Sequence, residues 1–223
     1  SAALVLDDFP IDQAAAILTG TICTMTGQVC ATLSRVIVSR HRHDELAAAI
    51  VEAMGRIRVG DPNDPASQMG PLAMRRQLER VEGYVQKGIE QGAKLACGGR
   101  RPPHLPKGFY FEPTLFTNVD NRMVIAQEEI FGPVISLIAC EDEADAIRIA
   151  NDSIYGLNGA VFTPDADKAY RVARQLRTGC VGQNGLRMDF MAPYGGFKQS
   201  GIGREGGPEN FLAYTETKTI LTD

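Results

Sequence analysis

The chain has 223 residues, of which 44% are hydrophobic and 22% charged, and its net charge is −4. This length and composition predict an ordinary soluble protein with one sizeable core. No long basic run is present, which argues against nucleic acid or an anionic membrane as a partner. The longest nearly uncharged stretch, residues 9–31, is broken by Asp12, Gln13, Gln28 and several threonines and is too polar to span a membrane.

Five cysteines are spread along the chain: Cys23, Cys30, Cys97, Cys140 and Cys180. They form no Cys-x-x-Cys pair, and the three histidines supply no ligand cluster, so neither a disulfide framework nor a metal site is expected. No basic segment precedes an apolar one at the amino terminus, so no signal peptide is predicted. Reduced thiols and a cytoplasmic location are therefore expected.

Strand and helix patterns alternate in chain order. Short apolar runs predict strands over residues 2–6, 35–39, 94–96, 134–139, 159–162 and 180–183. Apolar residues at helical spacing predict helices that end near Gly27 and that lie around residues 46–57, 74–89, 142–151 and 165–176. Such alternation predicts a three-layer α/β/α domain with a mainly parallel sheet, formed by residues 1–194.

The carboxyl-terminal segment departs from this pattern. Residues 193–207 are glycine-rich and irregular, and residues 211–221 alternate in the manner of a strand without a local neighbour. An unpaired strand edge is a pairing site for another chain. Residues 195–223 are therefore predicted to form a glycine-rich arm and an oligomerisation strand.

Cys30 ends the run Gly27-Gln28-Val29-Cys30, just after the first helical pattern. The small residues around it would let a substrate approach, and a thiolate is a good nucleophile toward a carbonyl. The alternative is a core cysteine, since free cysteine is among the most buried residue types. The short motif alone leaves both interpretations open.

A second motif, Glu128-Glu129-Ile130-Phe131-Gly132-Pro133, directly precedes the strand predicted at 134–139. A carboxylate there can accept two ribose hydroxyls, and the aromatic ring can lie against a nicotinamide. The alternative treats the two glutamates as solvated, Phe131 as core and the Gly-Pro pair as a turn. Composition alone does not separate these interpretations.

The two motifs, in this order, resemble the catalytic cysteine and the cofactor-ribose motif of the NAD(P)-dependent aldehyde dehydrogenases. Further stretches resemble that family in family order: Val59-Gly60-Asp61-Pro62, Gln68-x-Gly70-Pro71, residues 88–99, Glu112-Pro113-Thr114, Tyr155-Gly156-Leu157, Asn184, residues 193–201 and Tyr214-Thr215-Glu216-Thr217-Lys218. The resemblance covers essentially the whole chain, which makes coincidence untenable.

The resemblance implies roles on the cofactor side of a site. Cys30 matches the nucleophile, Glu129 the carboxylate on the nicotinamide ribose and Phe131 the aromatic beside the nicotinamide. Gln77 and Arg80 fall where the family often contacts the adenosine ribose. The implied cofactor is NAD or NADP, and no metal ion is expected.

On the substrate side, Arg187, Asp189 and Tyr194 lie in the loop that commonly lines the aldehyde channel of the family. Asn184 is expected to hold the cysteine loop by hydrogen bonds or to cap a strand end. The implied partners are a small-molecule aldehyde and further copies of the chain, in a homodimer or homotetramer.

In the family, the stretch beginning here at Ser1 follows a Glu-Leu-Gly-Gly motif whose glutamate is the general base. The oxyanion-binding asparagine and the phosphate-binding domain also precede it, and no Gly-x-Gly-x-x-Gly follows a strand in this chain. The sequence is therefore interpreted as the catalytic portion of an aldehyde dehydrogenase, without its amino-terminal cofactor-binding domain. It would oxidise an aldehyde to a carboxylic acid through a cysteine thiohemiacetal and a thioester.

The chain by itself is expected to be inactive. Three alternatives stay open: a member of the superfamily that passes the acyl group to coenzyme A, a semialdehyde-specific member, and a non-catalytic fragment that acts in assembly. The sequence preceding Ser1 would separate hydrolytic from acyl-transferring members, because hydrolysis needs the glutamate.

Overall fold

The computed structural model describes all residues, 1–223. Nine β-strands follow in chain order: β1 (Ala2–Val5), β2 (Arg35–Ser39), β3 (Lys94–Cys97), β4 (Thr114–Thr117), β5 (Val134–Cys140), β6 (Tyr155–Gly156), β7 (Asn158–Phe162), β8 (Cys180–Gln183) and β9 (Phe197–Lys198). Six α-helices lie among them: α1 (Ile11–Cys23), α2 (His43–Gly55), α3 (Arg75–Glu90), α4 (Val124–Gln127), α5 (Glu143–Asn151) and α6 (Ala166–Ala173). None of these helices has the length and apolar character needed to cross a bilayer.

Seven strands form one sheet in the order β3-β4-β5-β2-β1-β7-β8. All neighbours are parallel except β3 and β4, which pair antiparallel at one edge. The central strand β2 is buried at every position, as expected for a parallel strand that helices cover on both faces. The short strands β6 and β9 form a separate antiparallel ribbon.

Side chains of the sheet alternate between two cores, one on each face. In β1, Leu4 belongs to one core and Ala3 to the other, and in β2 Ile37 and Val36 divide in the same way. Helices α3, α5 and α6 contribute to the core on the Leu4 face, and α1 and α2 to the core on the Ala3 face. The predicted three-layer α/β/α architecture with a mainly parallel sheet is thereby confirmed.

Element boundaries differ from the predictions where the backbone turns sharply. Helix α1 ends at Cys23, because Met25 and Thr26 take left-handed φ values of 49° and 58° and interrupt the helix before its apolar pattern is finished. Strand β4 is absent from the predictions. It is only four residues long and directly follows Pro113, whose chemistry indicates a loop.

The carboxyl-terminal segment does not form the predicted strand within this chain. A short 3₁₀ helix spans Pro208–Tyr214, and residues 215–223 pair with no other strand. An extended segment becomes a strand only when a neighbour bonds its backbone, and no part of the same chain does so here. Its role in assembly, and the domain boundary between residues 194 and 195, stay predictions.

Candidate active site

The loops that precede β2, β5 and β7 meet at one edge of the sheet. These strands run parallel, so their amino ends lie on the same side and the segments before them converge there. Between the loops is a cavity of about 270 Å³. Its wall contains residues of both sequence motifs and residues in or next to β6 and β9: Cys30, Glu129, Phe131, Tyr155, Leu157, Gln199 and Ser200.

The two motifs touch through their glycines. Gly27 has a φ of 70°, and a Cβ atom placed on it would lie 2.1 Å from the carbonyl oxygen of Gly132. Only a residue without a side chain permits this approach of one backbone to the other. The contact places the loop that carries Cys30 directly beside the loop that carries Phe131.

Gln28 fixes the cysteine loop from its other side. Its Oε1 accepts the backbone N–H of Ala73 at 3.0 Å, and its Nε2 donates to the carbonyl of Met25 at 3.0 Å. The Thr26 hydroxyl donates to the carbonyl of Gly70 at 3.1 Å. These bonds hold the strained turn in place and leave the Cys30 side chain exposed at the cavity.

The neighbouring glutamates Glu128 and Glu129 have different surroundings. The Tyr84 hydroxyl donates to Oε2 of Glu128 at 2.6 Å, whereas no hydrogen bond or ion pair within the chain engages the Glu129 carboxylate, which is exposed at the cavity. Phe131 also lines the cavity, with a left-handed φ of 59° and 36% of its surface exposed. Glu129 and Phe131 are thus both available to a ligand.

Gln77 and Arg80 bond the backbone of this same loop. The Gln77 amide donates to the carbonyls of Ile130 at 3.0 Å and of Phe131 at 2.6 Å. Arg80 donates through Nε to the carbonyl of Ile130 at 3.3 Å and through a terminal nitrogen to that of Glu129. The contact of Gln77 and Arg80 with an adenosine ribose stays a prediction. In the structure their side-chain donors bond to backbone carbonyls of this loop instead.

Among the three channel candidates, Tyr194 lies beside the Cys30 thiol. Burial, together with the neighbouring Cys30 and Cys180 thiols, raises the pKa of Tyr194 to about 12, so the phenol stays protonated near neutral pH. Arg187 donates to the carbonyl of Gln183 at 3.3 Å, and Asp189 accepts the backbone N–H of Met191 at 2.9 Å. None of the three lines the cavity that holds Glu129.

Asn184 does not hold the cysteine loop. Its side-chain oxygen accepts the backbone N–H of Thr163 at 2.8 Å, beyond the end of β7. The segment after Cys30 is instead held by Asn158, whose buried amide donates to the carbonyl of Ala31 at 3.0 Å. The sequence signal for Asn158 was its position directly after Tyr155-Gly156-Leu157, at the start of a strand.

Arg35 belongs to none of the sequence motifs, yet it is a buried cation in the wall of the cavity. Its guanidinium donates to Asn121 Oδ1 at 2.6 Å and to the carbonyls of Ile149 and Ala150 at 3.0 and 2.7 Å. Burial lowers the pKa of Arg35 to about 10. The charge therefore neutralises the carboxyl end of α5 and stiffens the start of β2. The available sequence signal was an arginine directly before the apolar run Val36-Ile37-Val38.

The arm that follows residue 194 also contributes to the cavity. Strand β9 pairs with β6, the Ser200 hydroxyl accepts the backbone N–H of Gly156 at 3.0 Å, and Lys198 Nζ donates to the carbonyls of Asn151 and Ser153 at 2.7 and 2.9 Å. Gln199 and Ser200 consequently form part of the wall.

In this α/β domain an exposed thiol, that of Cys30, and an exposed carboxylate, that of Glu129, face one cavity. The chain belongs to the aldehyde dehydrogenase family, whose sequence model matches residues 1–220. A putative aldehyde dehydrogenase of Staphylococcus aureus (strain MSSA476) is 44% identical over 218 residues, which cover 97% of this chain and 46% of that protein.

Solved structures agree in both sequence and fold. An aldehyde dehydrogenase of Mycobacterium tuberculosis complexed with NAD⁺ is 47% identical with a TM-score of 0.97, and the match covers 100% of this chain and 46% of the other. Aldehyde dehydrogenase C of Pseudomonas syringae, a mutant complexed with NAD⁺ and octanal, is 41% identical with a TM-score of 0.95, covering 98% and 45%. The chain thus spans about half the length of the relatives it matches.

Proposed function

We propose that the chain is the catalytic portion of an NAD(P)-dependent aldehyde dehydrogenase that converts an aldehyde to a carboxylic acid, with Cys30 as the nucleophile. One observation carries the proposal: the exposed Cys30 thiol and the free Glu129 carboxylate share one cavity. The contact between Gly27 and Gly132 keeps their two loops together. Family membership supports the reaction type.

The cavity fits the nicotinamide end of the cofactor. The Glu129 carboxylate has no competing partner in the chain and is free to accept two ribose hydroxyls, and Phe131 offers a partly exposed ring for the nicotinamide. NAD(P)⁺ supplies the hydride acceptor when it is bound. The relatives from M. tuberculosis and P. syringae are complexed with NAD⁺, which supports NAD as the cofactor.

Cys30 carries the covalent chemistry. Its thiolate forms a bond to the carbonyl carbon, the carbonyl electron pair moves to oxygen, and the product is a thiohemiacetal. After oxidation the acyl group remains on Cys30 as a thioester. Water then adds to the thioester carbonyl and the carbon–sulfur bond breaks, which gives the carboxylic acid and returns Cys30 as the thiol. Asn158 holds the segment after Cys30 in place during these steps, through its hydrogen bond to the carbonyl of Ala31.

The substrate class is a small aldehyde, and the enzyme assembles as a homodimer or homotetramer. The P. syringae relative is complexed with octanal. Another relative, from S. aureus, is a betaine aldehyde dehydrogenase that is 40% identical. Exposed apolar side chains of the carboxyl-terminal segment support assembly: Phe211, Leu212, Tyr214, Ile220 and Leu221. The five free thiols are consistent with a reducing, cytoplasmic setting.

The test measures NAD(P)H formation by the complete gene product with a panel of aldehydes that includes octanal and betaine aldehyde. Cys30→Ala is expected to abolish turnover, while Cys97→Ala in β3, outside the cavity, keeps it. Product analysis with and without coenzyme A separates hydrolysis from acyl transfer. Substantial turnover by the Cys30→Ala protein would refute the assignment of the nucleophile.

A further inference from the structure

Three side chains of helix α3 point to the loop that carries Glu129. Gln77, Arg80 and Tyr84 are three and four residues apart, so they share one face of the helix. That face lies against residues 128–131. The three residues differ in burial: Tyr84 is 6% exposed, Gln77 is half-buried and Arg80 is exposed.

Every carbonyl from Glu129 to Phe131 accepts a hydrogen bond from this face. Arg80 bonds the carbonyls of Glu129 and Ile130, and Gln77 bonds those of Ile130 and Phe131. A terminal nitrogen of Arg80 also lies 3.2 Å from the Tyr84 hydroxyl, and its guanidinium carbon lies 4.9 Å from the centre of the Tyr84 ring. The guanidinium is therefore placed by stacking as well as by hydrogen bonds.

Tyr84 completes the arrangement at the start of the loop. Burial, and next the hydrogen bond to Glu128, raise the pKa of Tyr84 to about 12, so the phenol remains a donor near neutral pH. Glu128 is thereby turned toward the helix, while its neighbour Glu129 remains free at the cavity. At the other end, Phe131 holds a left-handed φ of 59°, a conformation that persists only when its surroundings enforce it.

We propose that Gln77, Arg80 and Tyr84 are positioning residues that form a latch, with Glu128 as its anchor, and that this latch sets the Glu129 carboxylate and the Phe131 ring where the cofactor binds. The inference rests on the proposed function and deepens it. Gln77 and Arg80 act here through the loop backbone, and Tyr84 and Glu128 gain a role in cofactor binding. Hydrogen bonds to the backbone carbonyls can fix the position of the loop, because they leave the Glu129 and Phe131 side chains free to contact the cofactor.

The test uses the complete gene product with Tyr84→Phe, Arg80→Ala, Arg80→Lys and Gln77→Ala. Arg76→Ala is the matched control, because Arg76 lies one turn before Arg80, is exposed and makes no side-chain hydrogen bond or ion pair within the chain. Three quantities are measured: hydrogen exchange of the peptide covering residues 128–132, the KM for NAD(P), and the rate at which iodoacetamide alkylates Cys30.

Each latch variant is expected to exchange the loop amides faster and to raise the KM for NAD(P) roughly tenfold, the factor that one lost hydrogen bond supplies. Arg80→Lys keeps the charge and one donor, so its KM is expected to fall between those of the wild type and Arg80→Ala. Cys30 alkylation stays within about twofold of wild type, because Gln28 and Asn158 hold the cysteine loop separately.

An unchanged KM for NAD(P) in both Tyr84→Phe and Arg80→Ala, with an active wild type, overturns the latch. So does a KM change that is matched by Arg76→Ala or accompanied by an equal loss of Cys30 alkylation, since either would indicate a general disturbance of the fold. A wild-type protein that forms no NAD(P)H with any aldehyde refutes the proposed function instead, and the two failures are therefore distinguishable.

Discussion

Replacing Gly27 with alanine tests whether the two motifs depend on direct backbone contact. The new Cβ would lie 2.1 Å from the oxygen and 2.3 Å from the carbon of the Gly132 carbonyl. Ordinary van der Waals contact begins near 3.4 Å, so the loops must separate by roughly 1.3 Å, the difference between 3.4 and 2.1 Å. Both clashing atoms belong to backbone, so no side chain can rotate away.

The cost has two parts. Alanine at the φ of 70° that Gly27 adopts costs about 1–2 kcal/mol of stability. The displacement also moves Cys30 relative to Glu129 and Phe131, and a misplacement of about 1 Å reduces rates roughly 100-fold. We therefore expect kcat/KM for the aldehyde to fall about 100-fold, more than the loss of stability alone would produce, because the protein should remain largely folded at 25 °C.

The assay compares kcat/KM and the thermal midpoint of Gly27→Ala with those of Gly20→Ala. Gly20 lies inside α1 and has no atom within 4 Å of the position its Cβ would take, so that variant should gain about 0.5–1 kcal/mol and keep its activity. Iodoacetamide should still alkylate Cys30 in the Gly27→Ala protein. Activity within threefold of wild type would show that the contact between the glycines does not position the site.

Glu129→Gln should raise the KM for NAD(P) or slow hydride transfer by tenfold or more, because it removes the charge that favours both ribose hydroxyls. Labelling of Cys30 by an aldehyde-like electrophile should persist. Loss of that labelling in a folded Glu129→Gln protein would contradict this division of roles. Deletion after Gly207 should yield monomers or insoluble protein in size-exclusion chromatography, and an unchanged size rules out assembly through this segment. Residues 1–223 alone should show no binding of NAD(P) in calorimetry, yet react with iodoacetamide at Cys30; micromolar binding would refute the reasoning.

Local patterns were sufficient for most of the fold. The strands at 35–39 and 180–183 are predicted to the residue, because each is a short apolar run bounded by polar or turn residues. The helix over Arg75–Glu90 also follows from its periodicity. The ribbon of β6 and β9 escapes prediction, since strands of two residues are too short for a periodic signal and are stabilised by neighbours distant in sequence. Strand β4 escapes because Pro113 directly before it indicates a loop.

The candidate site was also predicted only in part from the sequence. The family motifs bring attention to Cys30, Glu129 and Phe131, and the structure places all three at one cavity, where their individual roles stay predictions. What no motif reveals is which groups touch. The approach of Gly27 to Gly132, and the use of Gln77 and Arg80 on loop carbonyls, join residues about 50 to 100 positions apart. Residue type alone carries no information about such contacts.

The expected failure of residues 1–223 to bind NAD(P) follows from where the cavity lies. Open α/β sheets ordinarily bind nucleotides at the carboxyl ends of their strands, where helix amino ends and backbone N–H groups receive phosphate. This cavity lies at the amino ends instead, where α1 and α5 finish, and a helix carboxyl end repels anions.

Two arginines at this edge, Arg35 and Arg80, are already engaged. Arg35 is bonded to the end of α5, and Arg80 to the loop before β5. Helix α3 begins nearby at Arg75, and Gln28 accepts the N–H of Ala73, two residues before the helix. Glu129 and Phe131 are proposed to contact the ribose and the nicotinamide, and neither is a cation that could bind the pyrophosphate. We therefore predict that a separate domain holds the pyrophosphate, and we expect the contacts of residues 1–223 alone to leave affinity for NAD(P) below what calorimetry detects at micromolar concentration.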